Sequence, residues 1–268
     1  MSDRAKNPKA EIAAGNPWYT ENQLEAALGT EGGRRAAAAR WRLLEKIITG
    51  WLSAVADGNR EFRVLDAGCG DGLDLNVLGS IFESAGRAAT LYGCDYNPLR
   101  IEKIGANPAV RGVFMASLAE APIAGASFDV ILCNHVIEHI DDPGPALSEL
   151  GRMLRPGGLL MVGVPNEGCL MAQLRNNLLQ RSILRTTDHV HFFTARTLKA
   201  AVLRAGLKVD RVEAYGFFSP HLRLHNLLWV TGLGRAVVGL LGAIFPGQAA
   251  DVVCVIEPEK AESGGHAG

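Results

Sequence analysis

From Phe62 onward, short apolar runs alternate with segments patterned for helices, and that alternation restricts the fold more than any other feature of the chain. FRVLDA (62–67), TLYGCD (90–95), GVFMA (112–116), FDVILCN (128–134), LLMVGVP (159–165), KVDRVEAY (208–215) and DVVCVIE (251–257) read as strands. Several are apolar throughout, as strands covered on both faces must be. Segments 72–85, 97–105, 143–154 and 194–206 carry helical spacing between them, with Asn97 and Thr194 placed as N-caps and Pro98 in a first turn. RPGG at 155–158 reads as a stop before the fifth strand. Strands separated by helices predict an α/β fold with a doubly wound, mostly parallel sheet of seven strands. Ligands of such sheets bind beyond the carboxyl ends of the strands, where strand order reverses. Two stretches break the alternation, 166–193 and 216–250, and are too long for structureless loops. Both are expected to be helical insertions near that edge.

The turn after the first strand, VLDAGCGDGLDL (64–75), brings three glycines together. Glycines there admit a tight turn and let a ligand approach the backbone. A nucleotide P-loop would continue Gly-Lys-Ser/Thr, but Leu73 and Asp74 follow Gly72. A dinucleotide fingerprint would place its third glycine at Leu73. Asp66, Asp71 and Asp74 would repel phosphates and suit a ligand carrying positive charge.

VLDAGCGDG resembles the first motif of the class I S-adenosylmethionine-dependent methyltransferases, whose cofactor carries an ammonium and a sulfonium. GCDYNP (93–98) is similar to the acidic end of that family's second strand, SFDVILCNHVIEHIDDP (127–143) to its fourth-strand motif and LRPGGLLMVGVPN (154–166) to its fifth. DHVHFFTARTLKAAVLRAGL (188–207) resembles the following helix in the small-molecule and quinone methyltransferases. The resemblance implies a Rossmann-like methyltransferase fold and S-adenosylmethionine as cofactor. It implies that Asp66, Gly68, Cys69, Gly70, Asp95, Tyr96, Ser117, Leu118 and Asn134 line that cofactor, with Asp95 receiving the ribose hydroxyls. Family members often carry an aspartate for the adenine amino group where this chain has Ser117. An uncharged acceptor makes a weaker bond there, unless Glu120 reaches in instead.

Methyl transfer from a sulfonium is an in-line displacement, and alignment alone can supply ~7–11 kcal/mol of the barrier. A hydroxyl acceptor also benefits from a base, for which histidine is the usual choice. His135 follows strand four, and His189 and His191 precede the helix after strand five, so these three are the candidate catalytic residues. His139, in EHIDDP, is expected to anchor its turn. Glu138 and His139 with His189 or His191 offer metal-ligand chemistry. Small-RNA 2′-O-methyltransferases and some quinone-pathway relatives hold a divalent ion with a similar cluster. Here His135 occupies the place of a further glutamate, and no metal is expected.

Twenty-seven basic and 28 acidic residues leave a net charge of −1, which gives no basic field for nucleic acid. A small-molecule acceptor is expected, apolar or aromatic, offering a hydroxyl or an amine. The alternatives are an RNA methyltransferase and a catalytically silent, cofactor-binding partner subunit. Cys69, Cys94 and Cys133 lie in or beside apolar runs, as reduced buried thiols do, and with no leader-like apolar segment at the N-terminus this predicts a cytoplasmic protein. Residues 16–258 are expected to form one methyltransferase domain: N-terminal helices over 20–56, a core over 60–215, an apolar insertion over 216–250 and a last strand over 251–257. Tails at 1–15 and 259–268 are expected to be disordered. Trp18 and Tyr19 are candidates to pack on the core or over the site. Segment 222–245 is apolar but interrupted by Arg223, His225 and Arg235, so a pair of helices is expected and not a membrane span. That pair is read as an active-site cap, with Phe217, Leu224, Leu228 and Trp229 as lining, as packing on the sheet's flank, as a homodimer contact or as a lipid-contacting surface.

Overall fold

Strands β1 (Phe62–Ala67), β2 (Ala89–Cys94), β3 (Val110–Phe114), β4 (Phe128–Asn134), β5 (Leu154–Pro165), β6 (Arg211–Tyr215) and β7 (Asp251–Ile256) form one sheet of order β3-β2-β1-β4-β5-β7-β6. The computed structural model describes residues 28–55, 60–104, 110–114, 117–182, 184 and 189–256. Trp18, Tyr19 and both expected tails lie outside the described residues. β1 to β5 run parallel, while β7 is antiparallel to both β5 and β6. The order reverses between β1 and β4, so the ligand edge lies above their carboxyl ends.

Eight helices pack around the sheet among the described residues: α1 (Glu31–Ala54), α2 (Leu73–Ser84), α3 (Pro98–Ile104), α4 (Pro143–Met153), α5 (Leu170–Leu174), α6 (Ala195–Arg204), α7 (Leu222–Val230) and α8 (Gly232–Ile244). Side chains alternate across each strand, which assigns the two halves of the core. Leu65, Ala67, Ile131 and Cys133 pack with Leu147 and Leu150 of α4 and Leu198 and Val202 of α6. Phe62, Val64, Val130 and Leu132 face the other way, onto α1 and α2. α1 starts where Thr30 Oγ1 accepts from Gly33 N at 3.0 Å, and its buried stripe Leu44, Ile47, Ile48, Trp51 and Leu52 follows helical spacing. Each such side chain contributes roughly 1.5–3 kcal/mol on full burial.

The RPGG segment is a bulge inside β5 and not a stop before it. β4 pairs Phe128 with Leu154 and then Val130 with Leu159, and Gly157 absorbs the excess at φ +76°. A Cβ on Gly158 would lie 2.8 Å from Asp129 O, so only glycine allows the two strands to close there. Buried Asp129 receives Arg60 Nη1 at 2.7 Å, Arg155 Nη1 at 2.8 Å and Arg63 N at 2.8 Å, tying β1, β4 and β5 together. The two insertions are helical, as expected: α5 runs into a π turn (Arg175–Leu179), and α7 and α8 fill the connection from β6 to β7.

The antiparallel course of β7 has a positional result. Its first residue, Asp251, pairs with Pro165 at the end of β5 and Tyr215 at the end of β6. A strand that ends the sequence of the core thereby delivers a carboxylate to the ligand edge.

Candidate active site

The glycine turn is built on left-handed backbone. Gly68, Gly70 and Gly72 have φ of 83°, 51° and 80°, a region where side chains are strained. A Cβ on Gly68 would stand 2.3 Å from Val136 Cγ2, so this glycine also lets the β4 loop close onto the turn. Gly68 N and Cys69 N both donate to Cys94 O, at 2.8 and 2.9 Å. Asp95, next in the chain, accepts from Gly70 N on Oδ2 at 2.9 Å and from Asn97 N on Oδ1 at 2.8 Å. A carboxylate has about four lone-pair sites, so Asp95 still has acceptor capacity. Burial pushes its carboxyl up, against those two N–H groups and Arg100. Asp66 is 3% exposed, and burial first, then Asp74 and Asp95, push its carboxyl well above the ordinary range. Asp66, Asp74 and Asp95 thus set three buried carboxylates around the turn, an arrangement that gains from a cation.

Asp74 is latched from two sides. Its Oδ1 accepts from Trp41 Nε1 at 3.0 Å and Arg40 Nη2 at 3.3 Å, and its Oδ2 accepts from Asn134 Nδ2 at 3.0 Å. One aspartate thus joins α1, the start of α2 and the end of β4. Asp71 pairs with Lys103 Nζ at 3.4 Å. Two of the three loop carboxylates therefore have protein cations as partners, while the charges nearest Asp66 are mainly acidic.

His135 follows Asn134 with φ +57°, an uncommon conformation that turns its ring toward β7. Its Nε2 stands 2.7 Å from Asp251 Oδ1, with the oxygen off the ring N–H axis, so the contact is an ion pair more than an aligned hydrogen bond. Its Nδ1 lies 3.9 Å from Glu138 Oε1. Burial lowers the imidazole's proton affinity, but Asp251 and then Glu138 outweigh it and the net shift is upward. A third of the side chain, 34%, stays accessible, so a ligand can reach it. Burial would raise Asp251, yet His135, Arg40 and the Tyr215 hydroxyl hold it below the ordinary carboxylate range. Burial and then Asp251 push the Tyr215 phenol well above 10. Arg40, Tyr215 and Asp251 have no local motif; the packing of α1 brings the first, and the sheet order the other two, beside His135.

The other two candidate histidines are engaged differently. His189 Nδ1 pairs with Glu167, which also receives Arg175 Nη2 at 2.7 Å. Burial would raise Glu167, but His189 and Arg175 hold it low. His191 Nε2 bonds Asp141 O at 2.9 Å. Glu138, His139 and His189 each offer a ligand atom within 4.8 Å of the others. Both Glu138 carboxylate oxygens are buried, with no hydrogen-bond partner among the described residues. The rings of His139 and His189 meet edge to face at 4.7 Å.

Of the remaining expected residues, Tyr96 is half-buried next to Asp95, and Cys69 is buried in the turn. Burial drives its thiol upward, so it packs as an apolar group and not as a nucleophile. Ser117 is exposed, and its Oγ accepts from Ala119 N at 3.3 Å, opening the short 3-10 turn Leu118–Glu120. Leu118 packs in the core and is 7% exposed. Trp229 is buried beside His225, whereas Leu224 is 41% exposed.

A family model described as a methyltransferase domain matches residues 34–212. A protein of Mycolicibacterium smegmatis named as a probable S-adenosylmethionine-dependent methyltransferase is 35% identical over 103 residues, 38% of this chain and 38% of that one. A ubiquinone biosynthesis O-methyltransferase of Parvibaculum lavamentivorans is 29% identical over 168 residues, 59% of this chain and 63% of that one. The match thus spans less than two thirds of either relative. The crystal structure of an Archaeoglobus fulgidus S-adenosylmethionine-dependent methyltransferase superposes with a TM-score of 0.53 at 17% identity, covering 87% of this chain and 97% of that one. At that identity the likeness shows the fold.

Proposed function

This chain belongs to the class I S-adenosylmethionine-dependent methyltransferases, and from that premise we propose that it methylates a hydroxyl, or alternatively an amine, of a small apolar or aromatic molecule. The observation that carries this reading is His135, reachable by a ligand, set between Asp251 and Glu138 beside the glycine turn. The cofactor supplies a methyl group already activated on sulfur. The protein has to hold the acceptor in line and take up its proton.

The turn fits such a cofactor by the chemistry of its donor set. Gly68, Cys69 and Gly70 would admit it to the backbone, and Asp66 would meet its positive charge. Asp95 has lone pairs left that would receive the ribose hydroxyls. Tyr96, Ser117 and the exposed edge of Leu118 would flank the adenine, and Asn134, which holds Asp74, would close the wall. Asp251 favours the proton on Nε2 of His135, which leaves Nδ1 to accept the acceptor's proton. The imidazolium so formed is countered by Asp251 on one side and Glu138 on the other. Asp251 is a positioning residue in this scheme. His189 and His191 stand behind His135 as bases, because each is already held by Glu167 or by Asp141 O.

No metal is needed for this chemistry, since His135 supplies the proton acceptor. The likeness to ubiquinone biosynthesis O-methyltransferases supports a small-molecule hydroxyl as the target. The test is a methyl-transfer screen of phenols, quinol precursors and apolar amines, read by product mass with His135→Ala as control. Transfer that is independent of His135 would remove the assigned base.

A further inference from the structure

α8 lacks a polar face. Every residue of Gly232–Ile244 except Arg235 is apolar or glycine, and Arg235 turns back to donate from Nη1 to Trp229 O and Val230 O. Gly234 and Val238 are buried, and Gly242 rests so close to Gly216 O that a Cβ would stand 2.6 Å away. Those positions, four apart, are the inner stripe. Leu233, Leu240 and Ile244 lie on the opposite side and are 79%, 61% and 56% exposed. A helix apolar all round is normally enclosed, and this one is open on its outer face.

The neighbouring insertion extends the surface. Met171 N bonds Gln248 Oε1 at 3.0 Å and Arg175 stacks on Phe218 at 4.7 Å, so α5 and its π turn sit beside the segment that follows α8 and the one that precedes α7. From α5 and its π turn, Leu170, Leu178 and Leu179 are exposed. The charge is one-sided. Segments 168–187 and 216–250 contain no aspartate or glutamate, although the chain has 28 of them, and Arg181 and Arg223 are exposed within these segments.

We propose that this acid-free apolar face, built from α7, α8 and α5, docks in the interface of an anionic lipid bilayer. Among the described residues no single helix is long and apolar enough to cross a membrane, and the α7–α8 pair is bent by 109°. α8 spans about 20 Å at 1.5 Å per residue, short of the roughly 30 Å hydrocarbon core. It therefore lies in the plane of the membrane, its outer leucines among acyl chains and the arginines at the headgroups. A symmetric second copy fits the face less well. It would oppose arginine to arginine with no carboxylate from either insertion between them.

Vesicle flotation of the full chain tests this without any methyl acceptor. The wild type should float with phosphatidylcholine vesicles containing phosphatidylglycerol, and less with phosphatidylcholine alone. Leu233→Glu with Leu240→Glu should cut partitioning about tenfold or more, with the melting temperature and cofactor binding unchanged. Arg223→Glu should weaken binding only to the anionic vesicles, an effect that salt reproduces. Wild type that stays unfloated with anionic vesicles, or variants that float as it does, would overturn the proposal. So would a dimer that the leucine substitutions dissociate in the absence of flotation, which would give the face to a second copy.

Discussion

His135 of the β4 loop and Asp251 of β7 approach to 2.7 Å, Nε2 to Oδ1, although 116 positions separate them in the chain (251 − 135). The contact exists because β7 enters the sheet antiparallel, between β5 and β6. It joins a histidine inside the fourth-strand motif, one residue past β4, to a carboxylate outside every motif.

The first prediction concerns that pair. A base works in its neutral form, so with His135 shifted upward, kcat/KM should fall as pH drops through a value above its ordinary ~6.5. Asp251→Asn removes the strongest upward influence and leaves burial, which acts downward. The acid limb of the pH profile should then move to lower pH while the neutral plateau falls. His135→Ala should lower kcat by about 10²–10⁴-fold. An acid limb unmoved in Asp251→Asn would leave Asp251 a purely structural role.

Gly68 tests the turn. Gly68→Ala places a side chain at φ +83° and 2.3 Å from Val136 Cγ2. The left-handed backbone alone costs roughly 1–2 kcal/mol, and denaturant unfolding should show at least that loss. Adding Val136→Ala should recover the clash but not the backbone strain. Full recovery in the double variant would show that the turn is not strained.

The latch on Asp74 gives a third prediction. Trp41→Phe removes an N–H donor to a carboxylate, worth about 1.5–3 kcal/mol. Stability should fall within that range, and cofactor affinity should fall with it, because the same aspartate fixes Asn134 and the start of α2. Unchanged cofactor affinity in a destabilised variant would separate α1 from the site.

Metal removal is the fourth. Exhaustive treatment with a chelator should leave methyl transfer intact. A loss restored by magnesium or zinc would contradict this, and would assign the cluster of Glu138, His139 and His189 as its site.

β1 and β4 occupy 62–67 and 128–134, the bounds their apolar runs imply, because both are central and covered on two faces. β5 begins at Leu154, ahead of its apolar run. Glycines that read as a terminator serve a bulge whose partner, Asp129 O, is remote in sequence. Asp66, Gly68 and Asp95 were legible because a ligand turn needs their residue types at fixed local spacing. Arg40, Trp41, Tyr215 and Asp251 were not, since each reaches the site through helix packing or strand order. The φ of His135 likewise left no mark in a sequence where glycine or asparagine would have signalled it. The apolar character of 217–247 was plain. That its outer leucines stay uncovered emerges only once Gly234, Val238 and Gly242 are seen to face inward.

Calorimetry with S-adenosylmethionine tests the central claim most directly. The wild type should bind, and Asp95→Ala, which removes the acceptor assigned to the ribose hydroxyls, should lose ~1.5–3 kcal/mol, or about 10–150-fold in affinity. Absence of heat from a correctly folded wild type at millimolar cofactor, or an Asp95→Ala affinity equal to wild type, would contradict the account.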